Sequence, residues 1–232
     1  MTDNETLDRL PDSLPDDPMH WADAWLKEAT AAALQTNPNS MTIVSVDANE
    51  QPSARIVLCK DFVPDPGYLV FYTNYQSRKA RELTSNPKSA ALFHWDAFGR
   101  QVRIEGTVVR SPEAESDRYF ASRGWGSQLG AWGSDQSEAI DSKEQLVAQI
   151  RQRGANLGLS LADGTQQLTN GTIPGISRPP HWGGFRLWAN AIELWISGED
   201  RIHDRGRWTR DIVRSSEDRF TTTPWSGTRL QP

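Results

Sequence analysis

The chain has 232 residues, 37% of them hydrophobic and 24% charged, with a formal net charge of −5; this fits a single core, leaves no run near the roughly 20 apolar residues of a membrane span, and disfavours a general nucleic-acid surface. One cysteine, Cys59, excludes an internal disulfide and a thiolate zinc site, and the four histidines lack HExxH-like spacing, so no metal is expected. Met1 to Glu5 have neither the basic head nor the apolar run of a secretory signal, and the expected compartment is a reducing cytoplasm.

Residues 1–17 are acidic, contain Pro11 and Pro15 and show no periodicity, which predicts a mobile arm ahead of one domain over 18–232. From Pro18, the residues Trp21, Ala24, Trp25, Glu28, Ala29 and Ala32 recur at helical spacing, and that helix has to end before Asn37-Pro38. Strands are expected over Met41 to Val46, Ala54 to Cys59, Tyr68 to Thr73, Ala90 to Trp95 and Val102 to Val109. Asp47-Ala48-Asn49-Glu50 and Pro64-Asp65-Pro66-Gly67 read as hairpin turns between them. A short helix is expected from Ser77 to about Leu83, and a second is opened by Ser111-Pro112, with the serine as cap and the proline in the first helical position. A third spans about Ser142 to Arg153, and the Gly-, Thr-, Asn- and Pro-rich residues 154–180 read as a long loop. Phe185 to Trp188, Ile192 to Ile196 and Arg201 to Thr209 read as three strands, separated by Asn190 and by Gly198-Glu199-Asp200. Strands joined by hairpins imply a mainly β, α+β fold: a small barrel of antiparallel strands with flanking helices. No GxGxxG or GxxxxGK[ST] run points to a Rossmann or P-loop domain.

Five stretches carry candidate chemistry. Arg55-Ile56-Val57-Leu58-Cys59-Lys60 has a cation at each end, on opposite faces of an ideal strand, so two anions would explain both; cations at the edge of a surface strand would look the same. Phe71 to Ala80 runs from a strand into a helix that Ser77 can cap, and Arg78 and Lys79 at that helix start oppose its dipole unless an anion is bound; a solvated basic turn is the alternative. In Arg100 to Gly106, Val102 and Ile104 face inward while Gln101, Arg103 and Glu105 share the other face, where Gln101 could bond the polar edge of a heterocycle. Tyr119 and Arg123 are four apart at a helix end, and Gly124 frees the chain so that Ser127 can turn toward them, a set that suits a phosphate monoester. Arg201, His203 and Arg205 alternate, which would place them on one strand face with Trp195 across the hairpin, a costly grouping of cations without an anion.

Taken in order, RIVLCK, FYTNYQSRKA, RQVRIEG, YFASRGWGSQLGAWGSDQS, PPHWGGFRL, ELWISGEDRIHDR and the terminal Arg229-Leu230-Gln231-Pro232 resemble the successive blocks of the pyridoxamine/pyridoxine 5′-phosphate oxidase family. The resemblance implies an FMN-binding split β-barrel that forms a homodimer, with FMN at the subunit interface. By position, Arg55, Ile56, Val57, Leu58, Cys59, Lys60, Tyr72, Thr73, Arg78, Lys79, Gln101, Gln136, Ser137, Trp195 and Arg205 would hold FMN. Lys60, Tyr119, Arg123, Ser127, Arg201, Ile202 and His203 would hold the phosphorylated pyridine, with Arg201 and His203 at its reacting end. The implied reaction is oxidation of pyridoxamine or pyridoxine 5′-phosphate by O2 to pyridoxal 5′-phosphate, with release of H2O2. A related oxidase of phenazine-type substrates and a non-catalytic flavin- or pyridoxal-phosphate-binding protein are the alternatives. The chain departs from the family at Gly124-Trp125, where a proline and often a basic residue are expected, and in the length of the 154–180 loop.

Overall fold

The computed structural model describes residues 9–158 and 175–232. In chain order the elements are α1 (Pro18–Ala32), β1 (Ser40–Val46), β2 (Pro52–Leu58), β3 (Asp61–Val63), β4 (Tyr68–Asn74), α2 (Arg78–Ser85), β5 (Lys88–Trp95), β6 (Arg100–Arg110), α3 (Glu113–Ser122), α4 (Trp125–Gly133), α5 (Lys143–Asn156), β7 (Trp182–Ile196), β8 (Asp204–Thr209), β9 (Ile212–Arg214), β10 (Phe220–Thr222) and β11 (Ser226–Arg229). Nine strands form one sheet in the order β11-β8-β7-β6-β5-β1-β2, with β4 paired to β3 and β7; β9 and β10 form a separate hairpin. The antiparallel strands curl into a half-barrel, as the hairpin pattern predicts. Among the described residues no helix is long and apolar enough to cross a membrane, and no group of three or more His, Cys, Asp or Glu is placed to hold a metal.

The chain divides into two compact units, a barrel unit of residues 9–71, 82–109 and 185–232 and a helical unit of 72–81, 110–158 and 175–184. In the barrel unit the period-2 alternation of the strands is read out in register. Ile43 of β1 faces Ala91 of β5, Ala91 faces Ile104 of β6, and Phe93 faces Val102. All five are buried, and full burial of each of the larger ones contributes about 1.5–3 kcal/mol. Asp17 caps α1 by accepting from the Met19 amide at 2.8 Å, Pro18 sits in its first turn, and the helix buries Met19, Ala22, Trp25 and Ala29 before Ala33 turns left-handed.

Several local expectations need revision. Asn190 does not separate two strands: β7 is one 15-residue strand with an almost unbroken buried pattern, because in the middle of the sheet it has hydrogen-bonded neighbours on both sides. The last long strand starts at Asp204 rather than Arg201, since the preceding turn continues through Asp200 and Arg201, both left-handed at φ 52° and 64°. Pro112, not Ser111, occupies the cap position of α3, and no side chain caps it. Within the segment expected to be a mobile arm, residues 9–17 are held to the barrel unit. Leu10 is 1% exposed and its amide donates to Asp204 at 2.7 Å, while Trp208 Nε1 donates to the Pro15 carbonyl at 2.8 Å. Of the expected 154–180 loop, residues 154–156 complete α5, and 159–174 lie outside the described residues.

The helical unit holds α3, α4, α5 and the adjoining ends of β4 and β7. The helix α4 was not expected, because Gly126, Gly130 and Gly133 lower its intrinsic propensity. Tertiary contacts offset this: Leu129 and Ala131 are buried, and Gln128 donates to the Phe120 carbonyl at the end of α3 at 2.9 Å. The two glycines of PPHWGGFRL answer to close packing, since a Cβ at Gly183 would lie 2.2 Å from the Tyr75 hydroxyl and one at Gly184 2.6 Å from Ser111 Oγ.

Candidate active site

Two arrangements in the helical unit fit anions. At the junction of β4 and α2, Lys79 is buried, and its ammonium donates to Thr73 Oγ1 at 3.0 Å, Gln136 Oε1 at 3.1 Å and Ser77 Oγ at 3.3 Å. Thr73 Oγ1 also donates to Gln136 Oε1 at 3.0 Å. A strand end, a helix start and a loop thus converge on one ammonium through neutral oxygens. Ser137 follows with φ +78°, and the side chains of Arg78 and Ser137 are exposed beside this cluster in sequence. The loop carrying Gln136 is held from both sides: Asn74 Nδ2 donates to the Ser134 carbonyl at 3.3 Å, and Arg153 of α5 grips Asp135 with two bonds of 2.9 and 2.6 Å. That fork keeps the Asp135 carboxyl below its usual range.

The second arrangement is aromatic. Tyr72 stacks on Tyr119 with centroids 4.0 Å apart, and on Trp182 at 5.4 Å with an interplanar angle of 11°. Arg123, the C-cap of α3, lies with Cζ 4.6 Å from the Trp182 ring centroid. Its Nη1 is buried and has no hydrogen-bond partner among the described residues, and desolvation lowers its pKa while the neighbouring Tyr119 acts in the opposite sense. A desolvated guanidinium with one unanswered donor fits a phosphate oxygen. Ser127 is on the exposed first turn of α4, so it is displayed by a helix rather than by the loop expected.

In the barrel unit the candidate cations are differently employed. Arg55 sits on the inner side of β2, opposite Ile43, where it reaches Glu82 Oε2 at 3.2 Å, Ser53 Oγ at 2.7 Å and the hydroxyl of Ser45. Ile56 is exposed on the outer face, Val57 and Leu58 are half-buried, and Lys60 lies exposed beyond the strand end. Burial pushes the Cys59 thiol up to about 12. Gln101 is half-buried on β6, level with His94 of β5.

The expected shared face of Arg201, His203 and Arg205 is not formed, because Arg201 belongs to the turn and only Arg205 is within the strand. Arg201 and Ile202 are exposed. The His203 ring packs 4.6 Å from Trp195, and its Nδ1 accepts from the Gly198 amide at 3.2 Å; in the neutral ring this leaves the proton on Nε2. Arg205 meets Glu193 Oε1 at 3.0 and 2.8 Å, and Arg103 reaches Glu193 Oε2 at 2.6 Å. Glu193 and Trp182 join the site without a candidate role in the sequence. Glu193 was visible as the residue two before Trp195, hence on the same strand face; Trp182 carried no local signal beyond its place in PPHWGG.

Residues 26–156 match the pyridoxamine 5′-phosphate oxidase family, and residues 182–232 match the pyridoxine 5′-phosphate oxidase C-terminal dimerisation region. The chain belongs to the pyridoxamine 5′-phosphate oxidase family. It is 45% identical over 210 residues to the pyridoxine/pyridoxamine 5′-phosphate oxidase of Burkholderia mallei (strain SAVP1), covering 90% of this chain and 86% of that one. With the oxidase of the same name from Burkholderia vietnamiensis (strain G4 / LMG 22486) it shares 45% over 221 residues, 95% and 91% of the two chains. Among solved structures, PhzG from Burkholderia lata 383 in complex with tetrahydrophenazine-1-carboxylic acid matches with a TM-score of 0.76 at 27% identity over 95% of both chains. A pyridoxamine 5′-phosphate oxidase-related, FMN-binding protein from Nostoc punctiforme PCC 73102 shares the fold, with a TM-score of 0.64 at 14% identity over 93% and 98%. Membership of this oxidase family supports an oxidoreductase.

Proposed function

We propose that the chain oxidises pyridoxamine 5′-phosphate and pyridoxine 5′-phosphate to pyridoxal 5′-phosphate with FMN as cofactor and O2 as acceptor, releasing H2O2; the imine formed from the amine is hydrolysed by water to the aldehyde with loss of ammonia. The observation that carries this reading is Arg123, a half-buried arginine whose Nη1 is buried and has no hydrogen-bond partner among the described residues, beside a tyrosine and an indole, as a phosphorylated flat substrate requires. Lys79 supplies the fit for the coenzyme: an ammonium bonded to the oxygens of Thr73, Ser77 and Gln136 suits a second phosphate, with Arg78 next to Lys79 and Ser137 next to Gln136 in sequence. Bound FMN would supply the hydride acceptor for the substrate's C4′ carbon and pass the electrons on to O2.

The protein's part is binding and orientation. Tyr119, Arg123, Ser127 and Lys60 are assigned to the substrate phosphate. Gln101, Trp195, Arg205 and the strand Arg55 to Lys60 are assigned to FMN. Arg201, Ile202 and His203 are assigned to the reacting end of the substrate, where His203 Nε2–H can donate to the amine or alcohol group in the tautomer set by Gly198. The match of residues 182–232 supports a homodimer, and the single buried thiol suits a reducing, cytoplasmic setting.

The structural match to a PhzG favours a second reading, oxidation of a reduced phenazine precursor; the 45% identity to the vitamin oxidases over 90% of the chain favours the first. The test is anaerobic addition of each phosphorylated vitamer, and of tetrahydrophenazine-1-carboxylic acid, to the purified yellow protein. Bleaching of the flavin by the vitamers, with H2O2 on readmitting air, is expected. Bleaching by the phenazine alone would transfer the assignment to the second reading, and none with any of the three would make the protein a carrier.

A further inference from the structure

Trp182 is not among the residues assigned to a ligand, yet the candidate phosphate site is built against it. Its indole is 6% exposed. One set of ring contacts is made with Tyr72 and Tyr119, at 5.4 and 6.2 Å and within 11° and 9° of parallel. Phe120 meets it edge-on at 5.3 Å, so the ring has little room to turn. The Arg123 guanidinium lies over the same indole at 4.6 Å. The position is also held from the backbone, since Arg178 Nη1 donates to the Trp182 carbonyl at 2.7 Å while its Nε bonds Asp117 at 2.6 Å.

A guanidinium bonds anions through its edge and rings through its face. With its Cζ 4.6 Å from the indole centroid, Arg123 is placed for a face contact, which would leave its edge, including the Nη1 that is unpartnered among the described residues, for a ligand. An arginine at a helix C-cap has four rotatable side-chain bonds and would otherwise sample water; the ring limits that freedom before any ligand arrives. We propose that Trp182 is a positioning residue for phosphate recognition, holding the Arg123 guanidinium by its face so that its edge is presented to the phosphate of the substrate. This rests on the proposed substrate class and adds the residue that sets selectivity for the phosphorylated over the unphosphorylated vitamer.

The test is calorimetric titration of the flavin-loaded protein with pyridoxal 5′-phosphate and with pyridoxal, giving a selectivity ratio without turnover. Trp182→Leu is expected to lower that ratio on the order of tenfold, through the phosphorylated ligand alone. Trp182→Phe, which keeps a ring face and suits the case in which the leucine variant does not fold, is expected to lower it by about threefold. In an Arg123→Ala background Trp182→Phe should leave the ratio unchanged, because the ring acts through the guanidinium. A loss shared equally by both ligands, an unchanged ratio in both variants, or an effect that persists without Arg123 would overturn the inference. If the unmodified protein binds both ligands equally, the substrate reading itself is wrong, a result distinguishable from failure of Trp182 alone.

Discussion

The cations of the barrel unit and those of the helical unit are held in different company. Arg55, Arg103 and Arg205 meet buried carboxylates, Glu82 in the first case and Glu193 in the other two. Lys79 and Arg123 meet hydroxyls, an amide oxygen and aromatic rings. A guanidinium bonded to an internal carboxylate has much of its charge answered within the fold, so its removal is felt first as lost stability. A cation that serves a ligand is instead felt first, on removal, as lost affinity, and Lys79 and Arg123 are the candidates for that role.

The largest effect on the fold is expected at Glu193, which is 3% exposed and bonded to two arginines. Breaking a buried ion pair from one side costs about 3–5 kcal/mol. Arg103 and Arg205 are 40% and 24% exposed and can turn to water, so Glu193→Gln should fall at about 3 kcal/mol, read from urea unfolding. An unchanged midpoint would remove the distinction between the units. In the helical unit, Arg123→Ala should weaken pyridoxal 5′-phosphate binding on the order of a hundredfold, the worth of a charge-assisted bond to phosphate, while the unfolding midpoint moves little because a buried, unpartnered donor is removed with it. Lys79→Met should weaken FMN binding on the order of tenfold to thirtyfold, measured by flavin fluorescence on titrating the apoprotein. A Lys79→Met protein that unfolds readily but keeps its FMN affinity would place Lys79 with the carboxylate-bonded cations instead.

The same contrast explains how far the sequence could be read. Strands were legible wherever one face is buried, as in Met41-Thr42-Ile43 and Val102-Arg103-Ile104, because alternation is imposed by the pleat. It failed where burial is two-sided or where tertiary contacts override local preference. β7 carries Asn190 in its middle and reads as a hairpin, and α4 reads as loop because its glycines conceal the buried Leu129 and Ala131. The alternation of Arg201, His203 and Arg205 mimicked a strand face, although the turn consumes Arg201. In the candidate site the basic residues themselves were visible. Whether each is answered by a carboxylate or a ring was legible only for Arg205, whose partner Glu193 lies across the same hairpin; Glu82 and Trp182 are brought to Arg55 and Arg123 by packing between segments distant in sequence.

The smallest expected effect concerns Cys59, which the barrel buries beside Lys60. Burial and the nearby Asp61 push its thiol up to about 12 from 9.0, against a minor opposing influence of Lys60. The thiol, not the thiolate, is therefore the form present across the neutral range, and only the thiolate attacks alkylating reagents. At pH 8 a cysteine with a pKa of 9.0 is about a tenth ionised, whereas one near 12 is ionised at roughly one part in ten thousand. Iodoacetamide should accordingly leave the folded protein unmodified by mass at pH 8 and label it in urea, with the native rate beginning to rise only as the pH passes well above 9. Rapid labelling of the native protein at pH 8 would mean that Cys59 and the strand end carrying Lys60 open to solvent, and that this edge of the barrel unit is as available to ligands as the helical unit's cations.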